Sequence, residues 1–212
     1  GMYDGKAPAA GVVTGLARVD GRLFMVIAND ATVASGAFFP MTAKKVIRNQ
    51  TIALDCHLPT IYLVDSAGVN LPLQDEVFPD QDDFGRVFRN NAVMSAQGVP
   101  QIAAIMGACT GGAAYSAALC DFVVQVEKTS HVFITGPAVI KEVTKEEVSF
   151  EELGGARVHS TKSGVVHLAA KNDQDCLDHI KRLLDYLPQN NREKPSRRET
   201  HDPRDRETPE LI

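Results

Sequence analysis

Apolar residues along the chain alternate between short β-rich runs and longer segments with helical spacing. Two runs, residues 11–19 and 23–28, flank Asp20 and Gly21, a dipeptide typical of a β-hairpin. Buried strands are predicted over residues 60–64, 99–106, 122–126 and 131–135. Apolar residues at helical spacing predict helices over residues 41–57, 82–97 and 173–187. Strands that alternate with helices predict an α/β fold with a largely parallel sheet.

The apolar pattern stops at residue 187. Residues 188–212 are rich in charged residues and proline, and their only apolar residues are Leu211 and Ile212. Such a stretch buries too little apolar surface to offset the entropy lost on ordering it. We therefore predict a globular domain over residues 1–187 and, over residues 188–212, a tail or a linker towards a domain that this chain lacks.

Composition and charge exclude several classes of function. The chain has 22 basic and 27 acidic residues and a net charge of −5, which argues against nucleic acid or an anionic membrane as the main partner. No apolar run reaches the roughly 18 residues of a membrane helix. The four cysteines form no CxxC pair, so we expect neither a zinc ribbon nor a disulfide framework, and no metal. We expect a reducing compartment, either the cytoplasm or, in a eukaryote, the mitochondrial matrix.

A run of small residues over 107–116 follows a predicted strand and is expected to begin a helix. Gly111 and Gly112 in this run leave backbone N–H groups unobstructed by side chains. The first N–H groups of a helix have no internal partner, and the helix dipole adds positive potential there. The run therefore suits a phosphate or the oxyanion of an activated thioester. The alternative is that both glycines only allow close packing of helix and sheet.

A second glycine turn, residues 65–70, follows the predicted strand over 60–64 and contains Ala67 and Gly68. In α/β proteins, ligands bind at the carboxyl ends of parallel strands, so the two glycine turns would line one cleft. The alternative is an Asp- and Ser-rich turn that caps the next element.

Side chains for acid–base or nucleophilic catalysis are not apparent. The sequence has no paired carboxylates at a telling spacing and no Ser/His/Asp order, and its six histidines are scattered. Nothing near Cys109 in the sequence would activate its thiol, so we predict a small buried residue there.

Three segments resemble the carboxyltransferase (β) subunit of biotin-dependent acyl-CoA carboxylases. Residues 58–107, with LVDSAGVNLPLQDEVFP, resemble the methylcrotonoyl-CoA carboxylase branch. Residues 107–137, with GACTGGAAYSAALCDF, resemble the propionyl-CoA carboxylase branch, and EELGGARVHSTKSGVVH over 151–167 is common to both. The resemblance covers about the whole chain. It implies a crotonase-like (ClpP/crotonase) fold, a β-β-α superhelix, for the amino-terminal domain of a two-domain subunit.

The same resemblance implies a site. The N–H groups of Gly111 and Gly112 would hold the thioester oxygen as it becomes an enolate, and the turn with Ala67 and Gly68 would line the same cleft. The residues implied to bind CoA and substrate are Ala34, Ser35, Gly36, Ala37, Lys44 and Tyr115. For Lys44 and its neighbour Lys45, an approach to the CoA phosphates competes with a solvated helix face.

The resemblance also implies partners. These are an acyl-CoA substrate, biotin carried on a biotin carboxylase or biotin carrier subunit, a carboxyl-terminal carboxyltransferase domain, and a second copy of the chain in a homo-oligomer. In the implied mechanism biotin takes the substrate proton, so a missing side-chain base is expected. Two alternatives stay open: the subunit of a biotin-dependent acyl-CoA decarboxylase, and a solitary CoA-binding module without turnover. Because the segments resemble two branches, the acyl group also stays open.

Overall fold

The computed structural model describes residues 2–79, 81–197, 199–203 and 205–211. Within them, seven strands form one sheet: β1 (Val12–Val19), β2 (Arg22–Asn29), β3 (Thr60–Ser66), β4 (Gln101–Thr110), β5 (Phe122–Val126), β6 (His131–Phe133) and β7 (Leu168–Ala170). The helices of the described residues are α1 (Pro40–Asp55), α2 (Gln74–Val77), α3 (Phe84–Ala96), α4 (Gly112–Ala118), α5 (Pro137–Thr144), α6 (Phe150–Gly154), α7 (Ala156–Val158) and α8 (Asp173–Tyr186). The predicted α/β class is confirmed.

The strand order is β1-β2-β3-β4-β5-β7, with β6 paired to the carboxyl end of β4. β1 and β2 form an antiparallel hairpin, and the other paired strands are parallel. Asp20 and Gly21 both have positive φ, as a two-residue hairpin turn of this type requires, which confirms the predicted hairpin. β3 and β4 lie at the centre and are buried along most of their length, as expected of parallel strands covered on both faces.

Helices cover both faces of the sheet. Tyr62 of β3 and Ile105 of β4 point to the face covered by α1, α3 and α4, where the larger apolar cluster lies. Ile61 and Ile102 point to the opposite face, which α8 covers through Ile180 and its neighbours. Successive residues of a strand face opposite sides, so each central strand contributes to both cores.

Several helices begin with local signals that the sequence carries. α1 begins with Pro40, whose fixed φ suits the first helical position. α8 is capped by Asn172, whose Oδ1 accepts a hydrogen bond of 2.9 Å from Asp175 N. The predicted helices over 41–57, 82–97 and 173–187 correspond to α1, α3 and α8, with ends that differ by a few residues. None of the described helices is both long and apolar enough to cross a membrane.

The segment after α8 begins on the body of the domain. Asn190 is 9% exposed, and its Nδ2 donates to the carbonyl of His57 over 2.9 Å. The N–H of Asn191 donates to the carbonyl of Gly98 over 3.2 Å, and Gln189 Nε2 donates to Leu23 O. These contacts are polar, so the apolar pattern did not indicate them. They place residues 189–192 at the amino-terminal ends of β3 and β4, although the predicted linker begins at residue 188.

Candidate functional site

Three segments of the chain meet where β3 and β4 end. The N–H of Phe38 donates to the carbonyl of Gly68 over 2.8 Å, and the N–H of Ala67 donates to the carbonyl of Ser35 over 2.9 Å. Gly68 also lies against the end of β4, because a Cβ built on it would stand 3.0 Å from the carbonyl oxygen of Thr110. The structure therefore brings together the predicted loop at 34–37, the turn at 65–70 and the glycine run that follows β4.

The loop at 34–37 is a left-handed turn. Ala34, Ser35 and Gly36 all have positive φ, and Ala34 and Ser35 are exposed, whereas Ala37 is buried. Glycine is required at position 36, since a Cβ there would lie 1.9 Å from the carbonyl oxygen of Asp65. The Ser66 hydroxyl donates to the carbonyl of Gly36 over 2.8 Å and fixes the turn against β3.

The prediction that Gly111 offers a free N–H needs correction. Its N–H donates to the carbonyl of Phe133 over 3.1 Å, because β6 pairs with the end of β4 and the ladder continues to this residue. Gly112 and Ala113 are the next two residues, and their N–H groups have no acceptor among the described residues. The two adjacent N–H groups that remain available are thus those of Gly112 and Ala113.

Each glycine of the pair is required for a different reason. Gly111 has φ 61° and ψ −122°, a conformation that a residue with a side chain rarely adopts. Gly112 has ordinary φ, but a Cβ there would lie 2.0 Å from Cε1 of Phe84 in α3. Gly112 therefore allows close packing, as the alternative interpretation of the glycine pair expects, but the element packed against it is the helix α3 rather than the sheet.

The turn at 65–70 lines the site, but the N–H groups of Ala67 and Gly68 are not available to a ligand. The N–H of Gly68 donates to the Ser66 hydroxyl over 3.2 Å, and the N–H of Ala67 is used by Ser35, so both groups are occupied. Ala67 is exposed at this edge, whereas Gly68 is buried. Asp65 ties the two turns together, since its Oδ1 accepts a hydrogen bond of 3.0 Å from the N–H of Ala108.

The two candidate lysines have different environments. Lys45 Nζ donates to the carbonyls of Ala9 over 2.9 Å and Val12 over 2.7 Å, so this ammonium group holds the chain that precedes β1. It is therefore not free to approach a phosphate. Lys44 is exposed on α1, the helix that begins three residues after Ala37.

An apolar groove of about 460 Å³ lies beside α4. Tyr115, which is 51% exposed, forms one side, and residues of β6, α5 and the segment after α7 form the others. His159 in this wall is held in place, because its Nε2 contacts the carbonyl of Val132 and its Nδ1 contacts the Ser163 hydroxyl, both at 2.8 Å. Sequence reasoning about single residues missed this wall; its one signal was the segment 151–167, which contains His159.

Cys109 has the predicted structural role. It is fully buried, and burial raises the pKa of its thiol to about 12, so the thiol stays protonated at neutral pH. Among the described residues, no group of three or more His, Cys, Asp or Glu side chains is arranged to hold a metal ion.

Comparison with known proteins identifies the family. Residues 1–212 match the family model described as the carboxyl transferase domain. The chain is 50% identical over 185 residues to the beta1 subunit of the biotin-dependent 3-methylcrotonyl-coenzyme A carboxylase of Mycobacterium tuberculosis, covering 87% of this chain and 35% of that protein. It is 48% identical over 211 residues to the carboxyltransferase subunit of the propionyl-CoA carboxylase of Haloferax mediterranei, covering 100% of this chain and 40% of that protein.

A solved structure is similar over most of the chain. Transcarboxylase 12S, a hexamer with hydrolysed methylmalonyl-coenzyme A bound, matches with a TM-score of 0.83 and 40% identity over 90% of this chain and 36% of that one. This similarity confirms the crotonase-like fold. The chain spans little more than a third of the length of these proteins. From its sequence and its structure, the chain belongs to the carboxyl transferase domain family.

Proposed function

We propose that this chain is the acyl-CoA-binding half of a biotin-dependent carboxyltransferase. The whole enzyme would move a carboxyl group between biotin on a partner protein and an acyl-CoA. One observation carries the proposal: the free N–H groups of Gly112 and Ala113 lie between the turn at 65–70 and an apolar groove of about 460 Å³. A thioester carbonyl fits the N–H groups, and an acyl chain fits the groove.

The chemistry needs an enolate of the acyl group, and this chain would stabilise it. The thioester oxygen gains negative charge as the α-proton leaves, and two fixed N–H groups aimed at that oxygen lower the barrier. Carboxylated biotin on the partner protein would supply the carboxyl group as CO2, and the biotin nitrogen that this leaves would accept the α-proton. The residues of this chain therefore bind and orient the substrate, which agrees with the absence of an activated thiol at Cys109.

Different parts of the site would contact the CoA moiety and the acyl group of the substrate. The left-handed turn at 34–37 and the exposed edge at Ala67 would contact the CoA moiety, and Lys44 would approach its phosphates. Tyr115 and the groove would contact the acyl group. The names of the relatives support short or branched acyl groups, since they act on 3-methylcrotonyl-coenzyme A and propionyl-CoA.

The length and the names of the relatives support the remaining partners. Because this chain spans little more than a third of those proteins, and one of them is named as biotin-dependent, we propose that a carboxyl-terminal carboxyltransferase domain and a biotin carrier subunit complete the enzyme. A homo-oligomer is part of the proposal and is supported by the hexameric transcarboxylase. The cytoplasm, or the mitochondrial matrix in a eukaryote, is the proposed compartment.

Calorimetry with propionyl-CoA, 3-methylcrotonoyl-CoA and free CoA tests the proposal. Saturable binding with a preference for one acyl group is expected, and a folded chain that binds none of the three contradicts the proposal. Adding the carboxyl-terminal domain and carboxylated biotin carrier should then give carboxyl transfer. A folded, assembled complex that binds acyl-CoA but transfers nothing would favour the solitary binding module.

A further inference from the structure

Five polar side chains are packed between the sheet and the helices that cover the larger core. Gln50, Asn91 and Gln101 are fully buried, Tyr62 is nearly so, and Ser116 of α4 is half-buried. Burying such groups costs free energy unless each is hydrogen-bonded. Gln50 Oε1 has no partner among the described residues, but the bonds around Asn91 are complete, and a satisfied network holds its members in one arrangement. The network therefore helps to hold the elements that it joins at fixed positions relative to one another. These elements are α1, β3, α3, β4 and α4.

Asn91 is the centre of this network. Its Nδ2 donates to Oε1 of Gln101 over 2.9 Å and to the hydroxyl of Tyr62 over 3.2 Å. Nε2 of Gln101 donates back to the Asn91 carbonyl over 2.8 Å. These bonds fix the orientation of the Asn91 amide, and its Oδ1 is left to accept a hydrogen bond of 3.0 Å from the Ser116 hydroxyl. The sheet thus holds Asn91, and Asn91 holds α4.

α3 contacts α4 along one face. Phe84 packs against Gly112 so closely that a Cβ has no room, and one turn later the ring of Phe88 lies edge-on to Tyr115, with centroids 6.0 Å apart. Asn91, two turns after Phe84, makes the hydrogen bond to α4. The first two contacts are apolar and set how closely the two helices approach, whereas a hydrogen bond also requires a particular distance and angle. The bond from Ser116 therefore adds a directional constraint on the position of α4 along α3.

We propose that Asn91 and Ser116 are positioning residues that place the N–H groups of Gly112 and Ala113 on the thioester oxygen of the substrate. The inference rests on the proposed function, because it assigns those N–H groups to the thioester. Ser116 lies one helical turn after Gly112 in a helix of seven residues, so a shift at Ser116 moves the N–H groups with it. A displacement of about 1 Å at a reacting group can cost 10²-fold in rate.

The test compares two ligands that differ at the carbonyl. Calorimetry measures the Kd of propionyl-CoA and of S-propyl-CoA, a thioether that has no carbonyl oxygen. The wild-type chain is expected to bind the thioester more tightly. Ser116→Ala should weaken thioester binding by about tenfold and leave thioether binding within about twofold, because only the carbonyl contacts the displaced N–H groups. Ser116→Thr, which keeps the hydroxyl, should retain the preference for the thioester.

Ser95→Ala is the matched control. Ser95 is exposed on α3, and its hydroxyl donates to Oδ1 of Asp121, which lies beyond the carboxyl end of α4 and makes no bond to Asn91, so the ratio of the two Kd values should stay that of wild type. Melting temperatures establish that each variant is folded. A wild-type chain that binds both ligands equally contradicts the proposed function. A wild-type preference that persists in Ser116→Ala overturns the positioning role alone and leaves Ser116 with a structural one.

Discussion

Adjacent glycines in the turn between β4 and α4 differ in what they contribute. Gly111 adopts a backbone conformation that favours glycine and gives its N–H to Phe133. Gly112 keeps its N–H free and instead lacks space for a side chain beside Phe84. The Gly-Gly pair is visible in the sequence, but which N–H group stays free depends on β6, a strand that lies some twenty residues away in the chain.

Substituting Gly112 with alanine should destabilise the fold. The new Cβ would stand 2.0 Å from Phe84 Cε1, and the fully buried ring of Phe84 packs against Phe38, Phe78 and Phe88. We expect a loss of about 1–3 kcal/mol in the free energy of unfolding, as is usual for overpacking. Urea denaturation measures it. Gly85→Ala is the control, since Gly85 lies in α3 and a Cβ built on it has no atom within 4 Å. Because alanine favours the helix more than glycine does, this variant should be more stable than wild type by about 0.5–1 kcal/mol. Equal effects of the two substitutions would contradict the packing argument.

Thiol reactivity should separate one cysteine from the other three. Cys56 is exposed, whereas Cys109, Cys120 and Cys176 are buried. Burial raises the pKa of Cys109 and of Cys176 to about 12, and that of Cys120 further, so little thiolate forms at pH 8. A thiol reagent at pH 8 should modify one cysteine rapidly and four after denaturation, and Cys56→Ser should remove the rapid one. Two or more rapid thiols in the folded wild type would contradict this assignment.

The same shifts predict how stability depends on pH. The pKa of the Cys109 thiol is higher in the folded chain than its ordinary value of about 9. The folded state therefore binds more protons in this range, and the stability contributed by the buried thiol is present below pH 9 and lost as the pH rises towards 12. Unfolding in urea at pH 8 and pH 10.5 measures the change. The Cys109→Ala variant should lose less stability between these two pH values than wild type does, and an equal loss would count against the buried thiol as its source.

At the scale of elements, the long periodic segments and the short strands β5 and β6 were predicted, whereas the elements that follow residue 136, up to β7, were not. The hairpin β1–β2, the central strands β3 and β4 and the helices α1, α3 and α8 follow from alternation or helical spacing over many residues. The elements between residues 137 and 170 have only three to eight residues each, too few for a period to be recognised. α6 packs against β6 and β7 pairs with β5, and residues between 137 and 165 build the groove wall that sequence reasoning missed.

Residues 189–192 should contribute to the stability of the domain. Asn190 Nδ2 donates to the His57 carbonyl, and Asn190 Oδ1 accepts from the N–H of Arg192 over 3.0 Å. Asn190→Ala should lower the free energy of unfolding by roughly 1 kcal/mol, since it removes two part-buried hydrogen bonds. Chemical denaturation measures the loss, and Gln174→Ala, at an exposed position of α8, should change stability by less than about 0.5 kcal/mol. If Asn190→Ala is as stable as wild type, these residues are linker rather than domain.

At the scale of the whole molecule, apolar surface remains uncovered near the site. Ile134 is 57% exposed, Val143 75% and Phe150 55%, and all three lie on the segments that border the groove. Exposed apolar surface of this kind is typical of an interaction site. The proposed function assigns it to the carboxyl-terminal carboxyltransferase domain, which would complete the active site from the other side.

A charge placed on this surface should weaken assembly. Val143→Asp is expected to reduce the affinity for the carboxyl-terminal domain by about tenfold, because a desolvated charge opposes association, while the melting temperature of the chain stays that of wild type. Analytical ultracentrifugation measures the association. Val13→Asp is the control, since Val13 is 59% exposed on β1 at the opposite edge of the sheet. Equal effects of the two substitutions would argue against the groove side as the interface.

The sequence by itself determined the fold class, the central strands and the two glycine turns that meet at one edge of the sheet, because alternation and glycine positions act locally. Only the tertiary structure decided which groups are free there. Pairing of β6 with β4 uses the N–H of Gly111, the loop at 34–37 uses that of Ala67, and the chain before β1 uses Lys45. A hydrogen bond between residues far apart in the chain leaves no trace in local pattern, so the available donors become known only once the strands and loops are in place.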